Sequence, residues 1–506
     1  MKKISSINSL EKTVKRLKKQ KKKVVLCHGV FDLLHLGHLR HLEEAKTLGD
    51  YLIVSVTPNK FVEKGPGRPV FSEHLRAEAL SHLNVVNSIV INTSGTASDI
   101  IKKIKPNIYC KGPDYKKNSD DITGEIKNEI NSIKSAGGKI YYTQGETFSS
   151  SKIINQFGKI QSISQKNFIK KIKKIHSFNE IKTLIDKFKR IKTLVIGETI
   201  IDQYTFCDAL GKSGKEPVLV LKDLKTEEYL GGAAAISRHV STFCEQITLL
   251  TMIGQKEEYL KFIKSKLNKN INLKYINKKN SPTIVKKRFL DSISNNKVLG
   301  IYKINDDKLN LKDENSFSKI LKKELPKYDL VIVSDYGHGF ISKKNANLIC
   351  KHSKSLSLNA QINSSNIGYH SMKNYTNVNC VIINEREIRH ELRDRNSDIE
   401  VLMKKLSNEQ KIKNLIVTQG SLGLILYNLK NDKFDRCEAF AKKIKDKIGA
   451  GDTLLSILSL CLSKNMDLKL SILIGSLAAA YSVENIGNKE FIQKSKLVKS
   501  IQHILK

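Results

Sequence analysis

KVVLCHGVFDLLHLGHLRHLEEAK, residues 23–46, decides the fold of the first half of the chain. A short apolar run ends at Cys27, Gly29 allows a tight turn, and a helical pattern begins near Gly37 or His38. Four histidines, 28, 35, 38 and 41, fall inside fourteen residues. His35 and His38 are three apart, so one helical turn brings their rings to the same side of the helix N-terminus. That end carries free N–H groups and a partial positive charge, which suits phosphate. Two imidazoles there can donate to phosphoryl oxygens as negative charge builds, without a protein nucleophile. Zinc would need three or four converging ligands, and no cysteine or carboxylate stands in the sequence where it would clearly help. Taken alone, HLGH also fits histidines that merely decorate a helix.

The rhythm continues outward. YLIVSV (51–56), EHLRAEALSHL (73–83), SIVIN (88–92) and KIYYT (139–143) alternate strand and helix patterns, as in a parallel sheet covered by helices. QKNFIKKIKKIHSFNEIKTLIDKFKR (165–190) is helical in period, strongly basic and free of Gly and Pro. TLVIGE (193–198) opens a second α/β series with YDLVIVSDYG (328–337), NCVIINE (379–385), LIVTQG (415–420) and a long apolar pair of helices at 453–485. The expected organisation is a domain at 1–160, a basic helical linker at 161–190 and a second domain at 191–506. A chain of 506 residues has room for two or three domains.

Eighty-eight Lys and Arg against fifty Asp and Glu give a formal charge of +38. The lysines are spread through almost every segment and aromatics are only 7%, so no basic stripe with stacking residues marks a specific nucleic-acid site. The eight cysteines are scattered and never fall as CxxC, which indicates neither a zinc knuckle nor a disulfide framework and fits a reducing compartment. No apolar run approaches the length of a membrane span, and a cytoplasmic location is expected.

The stretch GVFDLLHLGHLRHLEEAKTLGD resembles the signature of the cytidylyltransferase-like nucleotidyltransferases, and the likeness runs from about 22 to 157 through EKGPGRPVFSEHLRAEAL, PNIYCKGPDY and SSSKII. It implies a Rossmann-like domain in which His35 and His38 contact a nucleoside triphosphate, ATP or CTP, while Gly29, Phe31 and Asp32 shape the turn beside it. By the same resemblance Lys64 of the KGPGRP loop reaches the phosphates and Arg76 neutralises them. Lys111, Gly112 and Asp114 line the nucleotide side, and Ser149, Ser150 and Ser151 offer hydroxyls and N–H groups to an anion.

IGAGDTLLSILSL (448–460) joins a Gly-rich turn to an apolar helix, where N–H groups can hold a transferring phosphoryl group and Asp452 can take a proton from the attacking hydroxyl. An aspartate in a first helical turn can also simply complement the dipole. GAGDT resembles the C-terminal signature of the ribokinase-like (PfkB) sugar kinases, which implies an α/β kinase domain with magnesium and ATP. Gly449, Ala450 and Gly451 then form the anion hole, and TQGSLG supplies the nucleotide turn with Thr418, Gly420 and Gly423. GETIIDQY and LGGAAA put Asp202, Gly231 and Gly232 at the sugar. NERE matches an NxxE pattern that places Asn384 and Glu387 near magnesium, acting indirectly, and VIVSDYGHG adds Asp335 at a strand end.

The pairing resembles the bifunctional heptose 7-phosphate kinase and heptose 1-phosphate adenylyltransferase family, with the order of the halves swapped. It implies a sugar phosphate and a nucleoside triphosphate as small-molecule partners, no specific nucleic acid, a role in surface lipopolysaccharide supply, and compatibility with a homo-oligomer. Departures fall on the sugar side of the kinase: Ala235 where the family tends to have asparagine, and LNAQINSSNIGYH (358–370) where it has a short Asp-Pro-Lys segment. The alternatives these leave are a transferase with a degenerate, sugar-binding kinase half, or a polyanion-binding protein on enzyme-derived folds.

Overall fold

Runs such as VVLC and LIVSV are apolar without alternation because both faces of their sheet are covered, as parallel sheets require. The computed structural model describes residues 3–113, 125–144, 161–362, 366 and 369–506. The chain divides into two compact units, residues 1–162 with 498–506, and residues 163–497. The C-terminal nine residues therefore cluster with the first unit. The helices Ile163–Ile175 and Phe178–Asp186, in the stretch expected as a linker, count with the second and bury Ile169, Ile172, Ile181 and Ile185.

In the first unit five parallel strands lie in the order Ser88–Ile91, Tyr51–Val56, Val24–Gly29, Ile108–Lys111, Lys139–Tyr142. Helix Leu36–Thr47 closes one face with Leu42 and Ala45 against Val25, Cys27 and Val54. The other face takes Leu10, Val14 and Leu17 of helix Ile7–Lys19 together with Ile100, Ile101 and Ile104. Those three N-terminal apolar residues recur at helical spacing inside a stretch whose lysines dominate its composition. Strand order reverses between Val24–Gly29 and Ile108–Lys111, and a doubly wound sheet opens its ligand crevice at that point.

The second unit has, among the described residues, a nine-stranded sheet. It is parallel from Ile271–Lys278 through Asn414–Thr418 and ends in antiparallel Leu424–Asn428 and Lys433–Cys437. Its switch point lies between Lys192–Gly197 and Leu330–Asp335. A separate four-stranded sheet, in the order Lys297–Lys303, Ile284–Asp291, Thr199–Lys212, Leu219–Gly232, was not expected from the sequence. The architecture is α/β in both units, Rossmann-like in the first and ribokinase-like in the second.

Candidate active sites

Strand Val24–Gly29 delivers the chain to a turn in which Phe31 has φ +50° and packs its ring 5.2 Å from that of His38. His35 is the N-cap residue of helix Leu36–Thr47, and its ring stacks on His38 with centroids 3.9 Å apart. Burial lowers both histidines, His38 to about 3, and the nearby Lys64 ammonium lowers them further. Each is a neutral imidazole at physiological pH, a donor through one N–H that adds no cation to the pocket. Lys64 is itself pushed down to about 8 by burial, against the pull of Asp32. Asp32 accepts the Val70 and Phe71 N–H groups at 2.7 and 3.1 Å and so ties the KGPGRP loop to the HxGH turn.

Arg76 is 2% exposed, and its guanidinium donates to the carbonyls of Phe71, Val30 and Thr57 and to Asn59 Oδ1. It braces the turn from within the fold. Lys111 forms an ion pair with Glu129 at 3.0 Å, and Glu129 also takes the Ala97 N–H and the Tyr109 hydroxyl. A side chain at Gly112 would meet nothing within 4 Å, which fits an open crevice wall. His28 is held by Ser55 and the Gly95 carbonyl and lowered to about 4 by burial, a structural histidine. Asp114, Ser149, Ser150 and Ser151 lie outside the described residues.

In the second unit Asp452 stands in the first turn of helix Ala450–Ser463, whose first N–H groups have no intrahelical partner. Gly449 caps that helix at φ +86°, where a Cβ would lie 2.2 Å from Asn488 Oδ1. Asn488 donates to Asp202 Oδ2 at 3.2 Å, and Arg288 donates to Asp202 Oδ1 at 2.6 Å. Asp202 therefore sits buried within a strand of the four-stranded sheet. Gly231, opposite Ile200 on the neighbouring strand, has no room for a side chain, because a Cβ would approach Asp202 Oδ2 to 2.3 Å. Gly232, at φ +59°, brings the chain against the Glu198 carbonyl.

Tyr336 donates to Asp452 Oδ1 at 2.9 Å, and burial pushes Asp452 up to about 7. Lys286 stands 5.3 Å over the Tyr336 ring and opposes that rise. Glu198 accepts the Tyr336 and His338 N–H groups, and burial together with the Asp335 carboxylate pushes it to about 8. Asp335 is bound by the Tyr375 hydroxyl at 2.7 Å and the Gly337 N–H at 3.0 Å, which makes it a turn organiser. Arg288, Lys286, Tyr336, Asn488 and Glu198 were missed in the sequence, because they come from separate strands and loops with no shared local pattern.

Asn384 and Glu387 cap each other. The Asn384 side chain takes the Glu387 N–H at 2.9 Å, and Glu387 takes the Asn384 N–H at 2.8 Å. Burial raises Glu387 to about 7. A carboxylate so engaged suits a hydrated magnesium ion only through intervening water. Thr418 ends strand Asn414–Thr418, and Gly420 and Gly423 turn the chain beyond it with φ +61° and +98°. Ala235 is buried in helix Ala233–Ser241. Of the 358–370 segment, Asn366 donates to the Tyr336 carbonyl at 2.8 Å, and residues 363–365 and 367–368 lie outside the described ones.

Residues 190–494 match the family described as pfkB family carbohydrate kinase, and residues 26–156 match the cytidylyltransferase-like family. The bifunctional protein HldE of Campylobacter jejuni strain RM1221 is 26% identical over 300 residues, covering 59% of this chain and 62% of that protein. The bifunctional protein HldE of Campylobacter concisus strain 13826 is 40% identical over 139 residues, 27% of this chain and 29% of that protein. The matched region thus spans less than two thirds of either relative. Phosphofructokinase-2 from Escherichia coli, in complex with potassium, superposes with a TM-score of 0.52 at 13% identity, over 62% of this chain and all of that one. That likeness is one of fold.

Proposed function

The chain belongs to the pfkB family of carbohydrate kinases, and from that premise we propose that it makes a nucleotide-activated sugar in two steps. The second unit phosphorylates the anomeric hydroxyl of a heptose-like sugar phosphate with ATP. The first unit then joins the resulting sugar 1-phosphate to a nucleoside monophosphate from ATP, or from CTP, and releases pyrophosphate.

The observation that carries the kinase half is the half-buried Asp452 with its Tyr336 hydrogen bond at the N-terminus of helix Ala450–Ser463. A carboxylate raised to about 7 is matched to accept a hydroxyl proton near neutral pH. The helix N–H groups after Gly449 hold the phosphoryl oxygens as the γ-phosphate transfers. Asp202, paired with Arg288 at 2.6 Å, accepts hydrogen bonds from sugar hydroxyls and orients the attacking one. Asn384 and Glu387 would help to hold a magnesium ion, which would neutralise charge on the triphosphate when bound.

In the first unit the attacking group is already an anionic phosphate, so no base is needed. His35 and His38 donate to the triphosphate, Lys64 adds its charge, and the N-terminus of helix Leu36–Thr47 adds its dipole. The +38 charge is spread through both units, and the buried Asp202 and Glu198 carboxylates and the half-buried Asp452 have no use in binding a polyanion. The test is incubation of the full chain with ATP, CTP, magnesium and a panel of sugar phosphates, following ADP and pyrophosphate separately. Formation of both products in sequence from one sugar phosphate is expected. Release of neither from any member of the panel overturns the reading.

A further inference from the structure

The cysteines look scattered in sequence, but the first unit gathers two of them beside one histidine. Cys27 and Cys110 are register partners on adjacent parallel strands, Val24–Gly29 and Ile108–Lys111, and both are fully buried. His41 projects from helix Leu36–Thr47 above them. One ligand atom from each of the three residues lies within 4.8 Å of the others, and among the described residues this is the only such group of three. Two sulfurs bound about 2.3 Å from a tetrahedral centre stand roughly 3.8 Å apart, so the three atoms need close by no more than about an ångström to share an ion.

The surroundings support a ligand. His41 Nδ1 is hydrogen bonded to Thr143 Oγ1 at 3.0 Å, and the Thr143 hydroxyl in turn donates to the Lys111 carbonyl at 3.3 Å. A bond from one ring nitrogen to an oriented oxygen, leaving the other to ligate, is the usual outer contact of a metal-bound histidine. Burial lowers His41 to about 4, which keeps the imidazole neutral, the form that ligates. The Cys27 thiol is raised by burial and by its contact with Cys110.

We propose that Cys27, Cys110 and His41 form a binding site for a soft divalent cation, zinc, within the nucleotidyltransferase unit. Binding replaces the two thiol protons, which leave to solvent, with two thiolate–metal bonds and one imidazole–metal bond. The centre so formed is neutral, and its charge therefore suits a buried position. A fourth position remains for water or another small ligand.

The location gives the site a consequence. Cys27 lies two residues before Gly29, and Cys110 immediately precedes Lys111. His41 follows His38 by one helical turn. A metal here fastens the helix that carries the HxGH histidines to the two strands that flank the nucleotide crevice. It contributes rigidity to the phosphate-binding turn and takes no part in the transfer itself. The inference does not depend on which sugar or nucleotide the enzyme uses.

Cobalt(II) reports the site directly, because cysteine thiolates bound to it give near-ultraviolet charge-transfer absorption and a tetrahedral site gives intense visible bands. The full chain, isolated under anaerobic reducing conditions and stripped with a chelator, is titrated with cobalt and then with zinc. Saturable charge-transfer absorption that zinc abolishes is expected. Cys110→Ser and His41→Asn should each weaken cobalt binding by roughly a hundredfold or more, whereas Cys380→Ser, a buried thiol in the second unit, should leave it unchanged. Circular dichroism of each variant shows whether the fold persists. If Cys110→Ser does not fold, the half-buried His41→Asn decides. Absence of thiolate–cobalt absorption in the wild-type chain, or its retention in a folded His41→Asn variant, overturns the proposal.

Discussion

The hydroxyl of Tyr336 donates to Oδ1 of Asp452 across 116 residues of sequence, and this bond holds down the titration of a carboxylate that burial drives up to about 7. A general base works only when ionised, so kcat/KM for ADP formation should fall about tenfold per pH unit below that value. Tyr336→Phe removes the lowering contact and should move the acid limb upward by roughly one pH unit, the equivalent of a hydrogen bond to a charged group. A pH–rate profile measured on both proteins checks this, and coincident limbs would remove Asp452 from the role of base.

Asp452→Asn separates chemistry from stability. Phosphoryl transfer should drop by roughly a hundred- to ten-thousandfold while nucleotide binding, read by calorimetry, persists. The folded-state value lies above the ordinary aspartate value of 3.8, so the stability that this proton contributes is whole below 3.8 and lost as pH rises through about 7. The variant cannot ionise. Its melting temperature should therefore exceed that of the wild type above neutrality, with the gap closing as pH falls. A gap that grows toward acid pH would reverse the assignment.

His38→Ala should reduce pyrophosphate release by on the order of a hundredfold or more and leave ADP formation unchanged. The stacked His35 ring, 3.9 Å away between centroids, loses its partner but keeps its place at the helix N-cap. An unchanged transferase rate in the same assay would mean that the pair only shapes the turn.

Glu387 tests magnesium against capping. Glutamine serves a capping box as well as glutamate does, so Glu387→Gln keeps the exchange of hydrogen bonds with Asn384 and removes only the charge. Thermal stability should change little, while the magnesium concentration needed for half-maximal ADP formation should rise by roughly tenfold. Superimposable magnesium curves would leave NERE as a helix cap and nothing more.

How far these sites could be read in advance depended on where their partners lie. The alternating strands and the HLGH and GAGD turns are local patterns and predicted much of both sheets, but Ile108–Lys111 in the first and Gln246–Gly254, Ile271–Lys278, Leu356–Ala360 and the antiparallel edge in the second were not read as strands. The four-stranded sheet did not announce itself, because residues such as Leu210, Val220, Leu299 and Ile301 are exposed and two of its strands, Leu219–Gly232 and Lys297–Lys303, are exposed along most of their length. Asp202 was legible as a candidate, yet its partner Asn488 is 286 residues away and Arg288 is 86 away. No window of sequence contains such a pair. The Cys27, His41 and Cys110 group escaped for the same reason. Register between nonconsecutive strands placed the two cysteines side by side, and spacing could not.

The last prediction concerns the Arg288–Asp202 pair, whose side chains are 11% and 5% exposed. Arg288→Ala leaves the Asp202 carboxylate buried with Asn488 alone, and removing one member of a buried pair costs about 3–5 kcal/mol, which urea unfolding will read. Arg288→Lys restores the charge but not the planar fork and should recover only part of that loss. The double variant Arg288→Ala with Asp202→Asn carries no stranded charge, so its stability should return toward the wild type although both polar groups are altered. Its activity should not return, because the oxygen that orients the sugar hydroxyl is then an amide. If Asp202 instead serves only the fold, the double variant should regain the wild-type KM for the sugar phosphate along with its stability, and the sugar assignment falls.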